Sequence, residues 1–107
     1  MNDKQLAKWQ AELAKTKKAL AQIGPMRPGT LTQQYKDPKA KTGAYWQLSY
    51  THQMRSRTRY VRPDEAPLMQ PLIDNFKRFR QLVDRCVELS VLIADRQTEI
   101  RRADQDK

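Results

Sequence analysis

The chain has 107 residues and a formal net charge of +9, with 38% hydrophobic and 31% charged residues. This length suits one domain, and so much charge favours helices with narrow apolar stripes over one large apolar core. A single cysteine excludes an intrachain disulfide and a cysteine-based zinc site, and no apolar run approaches the ~20 residues of a membrane span. We therefore expect a soluble, cytoplasmic protein with no metal or cofactor and with a polyanionic partner.

The positive charge is concentrated in the middle of the chain. Residues 1–24 carry a net charge of +3, residues 25–63 carry +7, and residues 64–107 carry -1. Mixed signs, as in the last third, are typical of a solvated helix face, whereas a cluster of one sign attracts a polyanion. We divide the chain at these boundaries into an N-terminal helix, a basic β unit and a long C-terminal helix. The expected fold class is α+β, with two long helices flanking a hairpin or a three-stranded antiparallel sheet.

The N-terminal segment predicts a helix from residue 3 to about residue 23. Its apolar stripe recurs at spacings of three and four and consists of Leu6, Trp9, Leu13, Thr16, Leu20 and Ile23. Gly24 and Pro25 predict the end of the helix, with glycine as its C-terminal cap.

The middle segment changes to β-favouring residues. Residues 29–35 predict a first strand, residues 36–43 a basic loop, and residues 44–51 and 55–61 the two strands of a hairpin. In the first hairpin strand, Trp46, Leu48 and Tyr50 alternate with a polar set, which predicts one packed face and one exposed face. We expect Trp46, Tyr50 and Tyr60 to lie in the core.

The face assignment depends on the turn between these two strands. A three-residue turn at residues 52–54 places Thr51 opposite Arg55, Ser49 opposite Arg57, Gln47 opposite Arg59 and Trp46 opposite Tyr60. The three arginines then interleave with Tyr45, Gln47, Ser49 and Thr51 on the exposed face. A slip by one residue would exchange the faces of the second strand relative to the first.

This arginine-rich hairpin is the candidate binding site. A two-stranded ribbon fits the major groove of DNA, where arginine pairs with guanine or phosphate and polar side chains add hydrogen bonds. We predict that the hairpin binds double-stranded DNA through Arg55, Arg57, Arg59, Arg62, Lys36, Lys39, Lys41, Tyr45, Gln47, Ser49 and Thr51. Two alternatives stay open: charged residues also protect edge strands from aggregation, and exposed aromatic residues also stack on the bases of RNA.

The C-terminal segment predicts a helix from Asp64, its expected N-cap, to about residue 103, although Pro71 allows a start nearer residue 70. Its apolar stripe continues over more than four heptads, which exceeds the length of the first helix. We expect residues 72–83 in the core and the stripe beyond about residue 86 in a homodimer or partner interface. The interface residues are Cys86, Leu89, Ile93 and Ile100.

The sequence offers little support for catalysis. His52 is the single histidine and lies at the predicted turn, and Cys86 lies on the apolar stripe of the long helix. Acidic residues in the last helix alternate with arginines at helical spacing, as surface ion pairs do. We predict that the protein is not an enzyme.

The motifs PGTLTQQY, TGAYWQLSY, RTRYV and IDNFKRFRQLVDRCVELSVL follow one another over residues 28–92. Their order resembles a bacterial family of short proteins of unknown function, in which a Gly-Ser-Leu segment, a cysteine-rich loop, a Gly-Pro-Tyr-Tyr strand, a basic strand and a long helix succeed one another. The matching residues are Gly29, Leu31, Gly43, Tyr45, Leu48, Ser49, Tyr50, Tyr60, Val61, Asn75 and Phe79. The loop here contains no cysteine, so any zinc site of that family is lost and its lysines are free for phosphate.

Members of the family that the chain resembles tend to accompany transposases and recombinases on mobile elements. The order of hairpin and helix also resembles the small DNA-reading sheets of phage-type integrases, a likeness of architecture. These resemblances imply a DNA-binding accessory protein that acts with a mobile-element recombinase or transposase. The alternative hypotheses are a helical adaptor or inhibitor that docks on a protein, and an RNA-binding module.

Overall fold

The computed structural model describes residues 3–106 and contains two helices and three strands. Helix α1 spans Lys4–Ala21, strands β1, β2 and β3 span Thr30–Asp37, Thr42–His52 and Arg55–Val61, and helix α2 spans Ala66–Gln105. The strands form one antiparallel sheet in the order β1-β2-β3. The predicted α+β fold class, with two long helices flanking a three-stranded sheet, is confirmed.

The chain divides into two compact units. One unit contains α1 and the part of α2 from Phe79 onward, and the other is Gly24–Arg78, which contains the sheet and the first turns of α2. Helix α2 therefore contributes to both units. None of the helices within residues 3–106 is long and apolar enough to cross a membrane.

The helical unit is an antiparallel pair. The Arg96 side chain contacts Asp3 at 2.7 Å, and Arg85 contacts Glu12 at 2.6 Å, so the start of α1 lies beside the C-terminal part of α2. The side chains of Thr16, Leu82 and Leu89 are buried within this unit. The apolar stripe of α2 is therefore covered by α1 as far as about Arg96.

Coverage by α1 corrects the expected partner interface. Leu89 is 0% exposed, so its side chain is part of the core and is unavailable to a partner. Cys86, Ile93 and Ile100 are half-buried, and their place in an interface stays a prediction. Leu89 is buried because α1 runs antiparallel to α2 and packs along its apolar stripe. The sequence had predicted that this part of the stripe has no partner within the chain.

Both ends of α1 have identifiable caps. The Asp3 carboxylate accepts a hydrogen bond of 2.9 Å from the Leu6 backbone N–H, an N-cap that satisfies one of the free donors of the first turn. This hydrogen bond, with Arg96 nearby, holds the pKa of the Asp3 carboxyl below its ordinary value. At the other end the cap is Gln22, whose N–H donates to the Ala19 carbonyl at 3.2 Å, while the Ile23 N–H donates to the Leu20 carbonyl at 3.3 Å. The predicted cap at Gly24 is therefore wrong.

The sheet unit is built around one packed face. Leu48 and Val61 are buried with Ala66 and Ile73 of α2, and Met69 lies against them. Helix α2 begins at Ala66, two residues after the predicted cap, and accommodates Pro71 in its second turn. From the sheet, Leu31, Trp46 and Tyr50 complete the packing, which confirms the expected core position of Trp46 and Tyr50.

The segment between α1 and β1 is tied to α2. The Arg27 backbone N–H donates to the Leu72 carbonyl at 3.1 Å, and the Asn75 side chain donates to the Pro25 carbonyl at 2.8 Å. These two bonds hold residues 25–27 beside the helix and so place the Arg27 side chain next to the sheet.

The β2–β3 turn contains two residues, not three, and this corrects the predicted register. His52 pairs with Arg55, Tyr50 with Arg57, Leu48 with Arg59, and Trp46 with Val61. Gln53 and Met54 both have positive φ, 51° and 64°, the backbone of a type I′ turn whose twist matches that of the strands. In this register Val61 is buried, whereas the predicted three-residue turn would have placed it on the exposed face.

We expect Met54→Gly to raise the free energy of unfolding by about 0.5–1 kcal/mol. The left-handed conformation costs a non-glycine residue about 1–2 kcal/mol, and glycine removes this cost. Part of the gain is lost because glycine has greater conformational freedom in the unfolded chain. Met54 is 98% exposed, so its side chain contributes no packing to lose. Chemical denaturation measures the change, with Thr51→Gly on the extended backbone as the control that should destabilise. A destabilised Met54→Gly variant would contradict the assigned turn.

Candidate nucleic-acid interface

The two-residue turn divides the predicted site residues between the two faces of the sheet. We call the side packed on α2 the covered face; besides its core residues it carries Arg55, Arg57 and Arg59. We call the opposite side the open face. Its side chains are Thr30, Thr32, Gln34, Lys36, Tyr45, Gln47, Ser49, Thr51, Ser56, Thr58 and Tyr60.

The predicted interleaving of the arginines with Tyr45, Gln47, Ser49 and Thr51 is therefore wrong. Directly paired residues share a face, and each arginine pairs with a covered-face residue of β2. Side chains along a strand alternate between the two faces of the sheet. The observed register differs from the predicted one by one residue, so all three arginines lie on the opposite face from the predicted one. The expected core position of Tyr60 fails for the same reason: Tyr60 lies on the open face and is 58% exposed.

We call Arg55, Arg57 and Arg59 the arginine edge, because β3 is an outer strand of the sheet. All three side chains are exposed, and among residues 3–106 none of them forms an ion pair. They lie on the covered face but outside its buried cluster. Their charges are therefore available to a ligand.

Arg27 lies next to this edge, and sequence reasoning did not assign it to the site. Its guanidinium carbon lies 5.0 Å above the ring of Tyr50, a cation–π contact, and Tyr50 pairs directly with Arg57. Arg27 lies before β1 and far from Tyr50 in sequence, so no local pattern could have placed it here. The hydrogen bond from its backbone N–H to the Leu72 carbonyl places it here.

The predicted lysines lie at the other end of the sheet. Lys36 ends the open face of β1, and Lys39 and Lys41 are exposed in the β1–β2 turn. The Asp37 carboxylate accepts a bond of 3.2 Å from the Ala40 N–H and so stabilises this turn. Gly43 has a φ of 70°, and a Cβ there would lie 2.9 Å from that of Lys36, so glycine permits the close approach.

Cations thus lie along the full length of the sheet. Strand β2 has eleven residues, so the lysine turn and the arginine end are separated by about 34 Å at 3.4 Å per residue. Arg62, just after β3, lies between them and approaches Glu65 at 3.9 Å with 72% of its side chain exposed. From β1 through β3 the one acidic residue is Asp37.

Other kinds of site have less support. Within residues 3–106, no three His, Cys, Asp or Glu side chains lie together in a position to hold a metal ion. An apolar hollow of about 300 Å³ lies between the sheet and the start of α2, lined by Leu31, Trp46, Pro63, Ala66, Pro67 and Gln70. His52 is exposed and ends β2, where it pairs with Arg55, so it does not lie within the turn as the sequence predicted.

Comparison with known proteins identifies the family. A model of a family described as a domain of unknown function (DUF6788) matches residues 3–71, which is more than half of the chain. The chain belongs to this family. The match spans α1, the whole sheet and the start of α2, so it includes every residue of the arginine edge and the open face. No curated protein and no solved structure matches the chain.

Proposed function

We propose that the unit Gly24–Arg78 binds double-stranded DNA without catalysing a reaction. The observation that carries the proposal is the arginine edge, three exposed cations on one strand that have no carboxylate partner in the part of the chain that the structure describes. The whole unit contains ten basic and four acidic residues. A surface with this excess binds the phosphates of nucleic acid and releases their counterions.

The geometry favours duplex DNA over duplex RNA. The outer strands of a three-stranded sheet lie about 10 Å apart, and the major groove of B-DNA is about 12 Å wide. The major groove of A-form RNA is too narrow and deep for such an element. With the sheet in a DNA groove, the arginine edge would face a groove wall and contact phosphates rather than bases.

The accessory role is a separate part of the proposal. We propose that the protein acts with a recombinase or transposase of a mobile element, and this part rests on the sequence resemblance. A protein-docking role is the second candidate, because Val87 and Val91 lie four residues apart on α2 and are 58% and 52% exposed. Such a pair suits a contact with another helix.

Salt dependence tests the DNA-binding proposal. If about six cations contact phosphate, the logarithm of the binding constant for duplex DNA should fall against that of salt concentration with a slope of about -5. Replacing Arg55, Arg57 and Arg59 with alanine should reduce the slope to about -3, because each phosphate contact contributes about 0.9. Fluorescence anisotropy with a labelled duplex measures both slopes.

The matched control removes the same charge from the other unit. Lys8, Lys15 and Lys17 of α1 are exposed, and their replacement by alanine also lowers the net charge by three. This control should keep the wild-type slope. Equal loss in the two triple variants would show that net charge alone drives binding. A wild-type slope near zero, or tighter binding to structured RNA than to duplex DNA, would overturn the proposal.

A further inference from the structure

The open face differs in chemistry from the rest of the protein. Ten of its eleven side chains are uncharged groups with a hydroxyl or an amide, and the eleventh is Lys36. The chain as a whole is 31% charged, so an ordinary solvated face of this size would carry about three charges of mixed sign. The face has no carboxylate and no aliphatic side chain. It therefore suits neither an apolar partner nor a cationic ligand.

Cross-strand pairing arranges these groups in parallel rows. Thr32, Gln47 and Tyr60 form one row across the three strands, and Thr30, Ser49 and Thr58 form the next. Successive rows on one face are about 7 Å apart, which matches two base-pair steps of about 3.4 Å. The rows thus present hydrogen-bonding groups at the spacing of every second base pair.

Gln47 lies at the centre of this grid, on the middle strand. Among residues 3–106 its side-chain amide forms no hydrogen bond, whereas the Gln34 amide donates to the Thr32 hydroxyl at 3.3 Å. A glutamine amide can pair with both the N6 and N7 groups of adenine in the major groove. Its half-buried position between two strands restricts its rotamers and favours one direction of approach.

Tyr60 ends the row of Gln47 on β3, and Tyr45 on the middle strand lies beside it. Their ring centroids are 6.0 Å apart with an interplanar angle of 37°, so each ring supports the other. The register of β3 places Tyr60 on this face, and the contact with Tyr45 leaves this residue 58% exposed. The pair supplies a firm apolar flank with two hydroxyl groups, which suits contact with a thymine methyl or a sugar.

We propose that the open face is the base-reading surface of the protein, with Gln47 as its central residue and duplex DNA as its ligand. The inference rests on the proposed function, since the arginine edge and the lysine turn would supply the phosphate contacts. It adds that binding is sequence-selective. It also assigns different roles to the two faces: the arginine edge would determine the affinity for DNA, and the open face would determine the preference for a base sequence.

Selection from a duplex library with 20 randomised base pairs tests the inference. Wild type should enrich a preferred sequence, and Gln47→Ala should lose about tenfold or more of its discrimination at one base pair while its salt slope stays unchanged. Thr58→Ala, in the adjacent row, should relax discrimination at a base pair two steps away from the one that Gln47 reads. Circular dichroism melting of each variant verifies that it is folded.

Gln33→Ala is the matched control, because Gln33 is an exposed glutamine of the same sheet that lies on the covered face opposite Trp46. It should keep the wild-type preference. Salt-dependent binding of the library without enrichment of any sequence would overturn the base-reading role and leave the DNA-binding proposal intact. Enrichment that survives both Gln47→Ala and Thr58→Ala would also overturn it. Absence of duplex binding at low salt would instead overturn the proposed function itself.

Discussion

Replacing Leu89 with alanine should lower the free energy of unfolding by about 2–5 kcal/mol, as cavity-forming leucine substitutions do. The Leu89 side chain is 0% exposed and belongs to the core between α1 and α2. Truncation removes its apolar contacts and leaves a cavity that two paired helices can only partly close. Chemical denaturation followed by circular dichroism measures the loss.

Protein concentration distinguishes this core role from an interface role. Because Leu89 packs within its own chain, the destabilisation should be independent of concentration, whereas loss of a dimer contact would be concentration-dependent. Val91→Ala is the control on the same helix, since that side chain is 52% exposed and should change stability by less than about 1 kcal/mol. Equal effects of the two substitutions would contradict the packing of α1 on this stretch of α2.

Gly29→Ala should destabilise the sheet unit by at least about 2 kcal/mol, combining backbone strain with overpacking. Gly29 has a φ of 146°, a conformation that side chains disfavour, and an added Cβ would lie 2.5 Å from Cδ1 of Leu48. Leu48 is fully buried and has little room to move aside. Thermal unfolding of the variant measures the effect.

Gly24→Ala is the matched control for Gly29. A Cβ at Gly24 meets the Asn75 side-chain nitrogen at 3.7 Å, an ordinary contact, so this substitution should be nearly neutral. If Gly29→Ala were as stable as wild type, the close approach of residue 29 to the core would be wrong. The same variant reports on function, because a displaced Leu48 would disturb Ser49 on the open face.

The helices and strands were predictable from local pattern. The three-four spacing identified both helices to within about two residues, and the alternation of residues 44–51 identified the central strand. Charge counting placed the cationic residues in the middle of the chain. Each of these signals depends on neighbours in sequence, which is why the sequence alone determined them.

Two features depended on tertiary packing. The hairpin register follows from the choice between burying Val61 and burying Tyr60, and the helix that covers the sheet decides it in favour of Val61. Likewise the direction in which α1 returns along α2 decides that Leu89 is core. Neither choice is visible in local periodicity. Both registers agree with the alternation of the strand, and an apolar stripe on α2 is equally compatible with Leu89 in the core or in a partner interface. The sequence by itself therefore determined which side chains the hairpin carries, and tertiary structure alone decided which face each of them occupies.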